Sequence, residues 1–189
     1  MKKAIATIVG VAPYSQSRHH ETPKLNKELP KDYEIRTWKE KLNTDDNGIV
    51  FIPALAFKNC IAEIAKFLSV QIPSKGKSTY TKHFRSGIMV LEDASLGIHK
   101  DEVLGNWLHV PANGERGGSK RVMKCFPYIP SGWRTSVEFI IVDDMITEDV
   151  FRHHLRQAGQ LIGVGTFRPA NQGTYGRFTV ESVAWGDYE

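Results

Sequence analysis

Two arginines set in a run of glycines are the residues of this chain best suited to chemistry. Residues 162–180 read IGVGTFRPANQGTYGRFTV, where Gly163, Gly165, Gly173 and Gly176 space Arg168 and Arg177 among Phe167, Tyr175 and Phe178. Glycine admits positive φ and close backbone approach, so such a loop can offer bare N–H groups to a phosphate. Arginine adds a planar fork that binds phosphate through two bonds and stacks on bases. Together they suggest a nucleic-acid backbone crossing the loop. A dinucleotide fingerprint is excluded, because G-x-G-x-x-G must follow a strand and open a helix. Here Gly163 and Gly165 follow a helix-forming stretch, and Arg168 stands where the third glycine belongs. The bland alternative is a connection whose glycines only cap a helix and turn the chain. Against it, such connections usually need about 2–6 residues, and this one is longer.

Further cations sit in two polar stretches. SKGKSTYTKHFRSG (74–87) carries Lys75, Lys77, Lys82, His83 and Arg85. ANGERGGSK (112–120) carries Arg116 and Lys120, with Arg121 and Lys124 following. The first set is read as phosphate contacts over a solvated loop, whereas the second could equally be one outward face of a strand. His19 and His20 have the near-neutral pKa a general base needs, yet adjacent histidines on a basic arm are also ordinary surface. His153 and His154 are sequence neighbours on a helix and cannot share a face. Asp45, Asp46, Asp143 and Asp144 fall at turns or strand ends, where aspartate is structural. Cys60 and Cys125 lack metal-ligand spacing and read as buried free thiols of a cytoplasmic protein. Neither a metal nor a cofactor is expected.

The elements that must position these residues follow from hydrophobic period. Alternation over 2–11 predicts a central strand. Residues 15–33 form a Lys-, His- and Pro-rich arm, 34–42 a possible strand, and 49–53 a short strand after the TDDNG turn. Pro53 then opens an amphipathic helix over 54–68, with Leu55, Phe57, Ile61, Ile64, Ala65 and Leu68 inward. A strand begins at 88, residues 99–119 are irregular, and strands cover 120–130 and 133–144. Thr147 caps a helix that places Val150, Phe151, Leu155 and Ala158 inward and ends at Gly159. A last strand follows the glycine loop. Trp38, Trp107, Trp133 and Trp185 are assigned to the core.

This order is an α+β fold, a ferredoxin-like (RRM-like) βαββαβ core in one domain, 1–189, with loop or hairpin insertions near 15–33, 74–87 and 99–120. The length of 189 residues suits one core. A net charge of +4 permits nucleic acid without requiring it. The apolar run after Lys2 and Lys3 is too short for a signal peptide, and nothing approaches a membrane span.

Three segments carry a family likeness. GVAPYSQSR (10–18), GIVFIPALAFKNCIAEIA (48–65) and the glycine loop resemble corresponding parts of the RAMP superfamily, CRISPR-associated proteins built on a ferredoxin-like core. The likeness lies nearest the backbone subunits that polymerise along guide RNA, although this chain is shorter, as a solitary phage-type relative would be. The resemblance implies that Lys58 faces phosphate, that Arg168 and Arg177 line a groove for single-stranded RNA or DNA, and that 99–120 projects as a hairpin over a neighbouring copy. It implies copies of itself and other CRISPR-like subunits as partners, in a helical filament. Tyr80, Phe84 and Tyr175 could then stack on bases. The processing branch of the same superfamily uses a histidine on a ribose 2′-OH, which makes a metal-independent endoribonuclease using His19 or His20 the alternative. A backbone-subunit mimic that blocks a host complex is the third reading.

Overall fold

The computed structural model describes residues 1–112 and 120–188. Strand β1 (Lys2–Gly10) is the alternating segment at the start of the chain, with Ala4, Ala6 and Ile8 buried on one side. It lies between β8 (Arg134–Ile141) and β9 (Phe178–Asp187), and the two-residue β4 (Ile88–Met89) flanks β8. All three pairings are antiparallel. Helix α2 (Ala54–Leu68) connects β1 towards β4, and α4 (Glu148–Leu161) connects β8 to β9. Each crossover steps over one strand, giving the order β4-β8-β1-β9. That is the ferredoxin-like βαββαβ arrangement, so the α+β class expected from the sequence is the one found.

Both helices bury their apolar stripes against one face of this sheet. Phe57 of α2 meets Phe178 at 6.0 Å, and Phe151 of α4 meets Phe139 at 5.2 Å. These rings sit edge to face, as the aromatic quadrupole prefers. The N-terminus of α2 gains a partner from far along the chain, since the Ala54 amide donates to Asp93 Oδ1 at 2.8 Å. The helix runs over the 54–68 span predicted for it, although Leu55 points to solvent.

The remaining elements are insertions. Between β1 and α2 come β2 (Tyr14–Ser15), α1 (Pro30–Thr37) and β3 (Ile49–Ile52). Between α2 and β4 lies the short helix α3 (Thr81–Ser86). Between β4 and β8 lie β5 (Ala94–His99), which pairs with β3, and a long hairpin of β6 (Leu104–Pro111) and β7 (Arg121–Ile129). Strand β2 adds to β7, making a second sheet of order β2-β7-β6. No helix among the described residues is long and apolar enough to cross a membrane.

Several expectations change. Residues 34–42 are not a strand: Pro30 opens a helix through Thr37, and a 3₁₀ turn follows. The inward residues of that segment are polar, which hid its period. Glu34 is buried and accepts from the Lys41 Nζ, from the Cys125 amide at 2.8 Å and from Lys124 Nζ at 3.0 Å. Burial pushes its carboxyl up, but these bonds outweigh that and hold it below the usual range. Residues 104–111, read as irregular, are a hairpin strand. Helix α4 continues past Gly159 to Leu161. A Cβ at Gly159 would lie 2.2 Å from the Phe178 carbonyl oxygen, so the glycine is there for close packing. Trp107 is 39% exposed and does not belong to the core. Cys60 and Cys125 are buried free thiols whose pKa burial pushes up to about 12 and about 11.

Candidate nucleic-acid interface

The outer face of α2 is the floor of a groove. Lys58, Asn59, Ala62, Glu63 and Lys66 lie along it, at the three- and four-residue spacings that align side chains on one face. Helix α3 forms one wall with Thr81 and Arg85, and Arg168 of the glycine loop closes the other, around a cavity of about 650 Å³. A second cavity of about 620 Å³ continues from Glu63 and Lys66 past Phe67 to Arg177. In the opposite direction Thr81 and Arg85 lead into a third, lined also by Lys77 and Lys82. The three make one continuous surface holding seven cations. Glu63 is its one carboxylate among the described residues.

How each cation is held decides what it can do. Lys58 Nζ donates to the carbonyl oxygens of Phe84 and Arg85 at 2.9 and 2.8 Å, satisfying the C-terminal end of α3. Burial lowers its pKa. It joins α2 to α3 as well as adding charge. Arg168 Nη1 sits 3.0 Å from Glu63 Oε2, and Arg177 Nη1 donates to the Gln160 carbonyl at 2.9 Å. Lys66, Lys77 and Arg85 are exposed and make no ion pair among the described residues. The groove therefore combines positioned cations with free ones, and it suits a chain of phosphates.

The glycine loop holds its arginines by folding tightly on itself and on the chain after β1. The Gly163 amide donates to Ala158 O, the Gly173 amide to Arg168 O and the Gly176 amide to Pro13 O. These three N–H groups, expected to face phosphate, are thus already engaged. Close approach explains the glycines better. At Gly176, with φ of +69°, a Cβ would fall 1.8 Å from Val164 O. At Gly165, with φ of +81°, it would fall 2.2 Å from Ser15 O.

Of the ten side chains expected at the interface, Lys58, Lys77, Lys82, Arg85, Arg168 and Arg177 come together here. Lys75 projects at the tip of the 72–78 turn, outside the groove walls. Lys120 stands at the loop end of the β6–β7 hairpin, where its carbonyl accepts from the Ala112 amide. Arg116 lies outside the described residues. Tyr175 turns away from the groove and packs near Tyr128 at 6.4 Å and Phe167 at 6.0 Å. Tyr80 and Phe84 are core residues and offer no ring to a base. Sequence reasoning missed Lys66 and Phe67. The stripe Lys58, Ala62, Lys66, with a period of four along a helix, was the signal that could have found the lysine.

The two arm histidines stand apart from this surface. His20 stacks on Tyr33 with centroids 6.2 Å apart and its Nδ1 meets Thr22 Oγ1 at 3.1 Å, while His19 is exposed. Another histidine has a carboxylate partner: His83 Nδ1 lies 2.7 Å from Asp143 Oδ2, fastening α3 to the turn before α4. Burial raises the Asp143 pKa, but the bonds from His83 and the Met145 amide outweigh this and lower it.

No protein-family model matches the sequence, and no curated protein sequence is similar to it. Among solved structures, the chain is similar to the crystal structure of Cmr6 from Pyrococcus furiosus. The TM-score is 0.49 at 12% identity, over 95% of this chain and 99% of that one. The ferredoxin-like assignment rests on this chain's own strand order.

Proposed function

We propose that this protein binds single-stranded nucleic acid, RNA in preference to DNA, along the α2–α3–glycine-loop groove and without sequence preference. The observation that carries the reading is the charge of that groove, seven cations against one carboxylate on a continuous surface. Charge of this kind attracts phosphates and is indifferent to base identity. The sequence resemblance to RAMP proteins supports the same groove and a CRISPR-like setting, with copies of the chain laid along one strand as a filament. The β6–β7 hairpin, whose ladder runs from Leu104–Tyr128 to Pro111–Arg121, is the element proposed to reach a neighbouring copy.

Gel filtration with light scattering, read at 260 and 280 nm before and after nuclease and high salt, tests the proposal. A large species rich in nucleic acid that falls towards 21.3 kDa after treatment is expected. The Arg85→Ala, Arg168→Ala double variant should lose the bound strand. A monomer that ignores added single strands overturns the reading and turns attention to a protein partner. A denaturing gel of the same mixtures reports cleavage, the outcome an endoribonuclease would give.

A further inference from the structure

Helix α2 ends in an aromatic ring that the core does not use. Phe67 is 67% exposed, while Phe57, Ile61, Ile64 and Ala65 fill the inward face of the same helix. Instead Phe67 lines the second cavity of the groove together with Leu161, Ile162, Pro169 and Ala170. Arg177 contributes to the same lining, its guanidinium held by the Gln160 carbonyl. Glu63 and Lys66 stand where this cavity meets the first.

The chemistry of the lining narrows the occupant. A phosphate has no use for Phe67, Leu161 and Pro169, and an aliphatic side chain has none for Arg177, Lys66 and Glu63. A nucleobase uses both. Its π-face stacks on a phenyl ring and on a guanidinium plane, and its polar edge meets charged groups. Glu63 can accept from an exocyclic amino group, as carboxylates do from cytosine N4. A cavity of about 620 Å³ is of the size that holds small ligands. Sharing Glu63 and Lys66 with the cationic groove places the cavity beside the proposed phosphate track.

We propose that the Phe67–Arg177 cavity receives one unstacked nucleobase from a strand whose phosphates lie in the adjoining Lys58–Arg85–Arg168 groove. This rests on the nucleic-acid reading above and adds a base-dependent contribution to it. A duplex keeps its bases stacked inside, so the cavity also favours single strands over double.

The test compares a short RNA strand with an abasic strand of equal length and charge, by fluorescence anisotropy. Wild type should bind the base-containing strand more tightly, by roughly 5- to 100-fold for one stacked base. Phe67→Ala should remove that difference while leaving the affinity for the abasic strand and its salt dependence unchanged. Phe67→Trp should retain the difference. Arg85→Ala, by contrast, should weaken both strands together. Equal binding of the two strands by wild type, or equal weakening of both by Phe67→Ala, overturns the base cavity and leaves the groove standing. Failure of wild type to bind either strand overturns the nucleic-acid reading, and this inference with it. Because Phe67 is exposed, its substitution should leave the thermal unfolding curve in place, which confirms that the variants are folded.

Discussion

Replacing Glu63 with glutamine should tighten the hold of the groove on a single strand. Glu63 is the one carboxylate among the described residues lining it, and its Oε2 lies 3.0 Å from Arg168 Nη1. Seven cations less this one acid leave six uncompensated charges. For single strands each neutralised phosphate contributes about 0.7 to the slope of log affinity against log salt, so a fully used groove gives a slope near −4. The variant frees Arg168, makes the count seven, and should steepen the slope to about −5. At about 0.1 M salt that extra released counterion is worth roughly a fivefold gain in affinity. The opposing cost is small. The ion pair is partly solvated, with side-chain exposures of 22% and 39%. Such pairs typically contribute under about 1 kcal/mol to folding.

The assay is anisotropy of a labelled uridine homopolymer titrated at several salt concentrations, with wild type and variant side by side. A uridine homopolymer removes secondary structure as a variable and presents no exocyclic amino group to Glu63. Unchanged affinity and slope would mean that Arg168 does not reach phosphate, and weaker binding would mean that Glu63 itself contacts the strand. Either result refutes the charge arithmetic. Removing a groove residue can weaken binding simply by loosening the fold, whereas a damaged fold does not bind its strand more tightly. A gain of affinity on deleting a negative charge is therefore the more discriminating result.

Three further outcomes follow from the packing. Glu34→Ala should cost about 3–5 kcal/mol in urea unfolding, because it strands Lys41 without its buried partner. His154 is buried against Phe84 with ring centroids 4.3 Å apart, and its Nε2 has no hydrogen-bond partner among the described residues. Burial lowers its pKa below the ordinary 6.5. The unfolded chain therefore takes up the proton first: stability is full above pH 6.5 and is lost as pH falls through the lowered folded value. Thermal melting from about pH 8 to pH 5 should show that loss, and His154→Phe should flatten it. Gly176→Ala puts a methyl 1.8 Å from Val164 O at a φ of +69°. It should destabilise the protein by at least about 1 kcal/mol and weaken strand binding through the displaced arginines.

The sequence revealed elements wherever one face is apolar and the other is not. Helix α2, with Phe57, Ile61, Ile64 and Ala65 inward, and strand β1, with Ala4, Ala6 and Ile8 inward, could be read because burial follows hydrophobicity there. Helix α1 could not, because its inward residue Glu34 is a charge satisfied by Lys41, Cys125 and Lys124, which no local pattern connects to it. Strand β6 escaped for a related reason: Leu104, Trp107 and Leu108 are all exposed, so no alternation marks it. For the candidate site, cations in glycine- and lysine-rich loops drew attention as a group. Lys66 and Phe67 looked like the solvent side of a helix. Only the folded positions of Arg85, Arg168 and Arg177 around α2 show that side as the floor of a groove.

The other face of the main sheet lacks what an interface of the RRM type uses. Ferredoxin-like proteins of the RRM type stack bases on aromatic residues of the exposed sheet surface. Here that surface carries Lys3, Ile5, Thr7 and Val9 from β1, Ser136 and Glu138 from β8, and Thr179, Ser182 and Ala184 from β9, with no aromatic ring among them. Its cations are also balanced: Lys3 lies 4.0 Å from Glu138, and Arg134 pairs with Glu181. On the helical side the balance fails, since Lys66, Lys77 and Arg85 pair with no carboxylate among the described residues and the exposed ring of Phe67 stands beside them. An unbalanced row of cations raises the protein's own electrostatic energy, and an exposed phenylalanine forgoes burial worth about 1.5–3 kcal/mol. Both are relieved when a polyanion with planar bases lies along the groove. The polarity of this protein, neutral on its sheet and cationic on its helices, therefore favours a strand across α2 over one across β1.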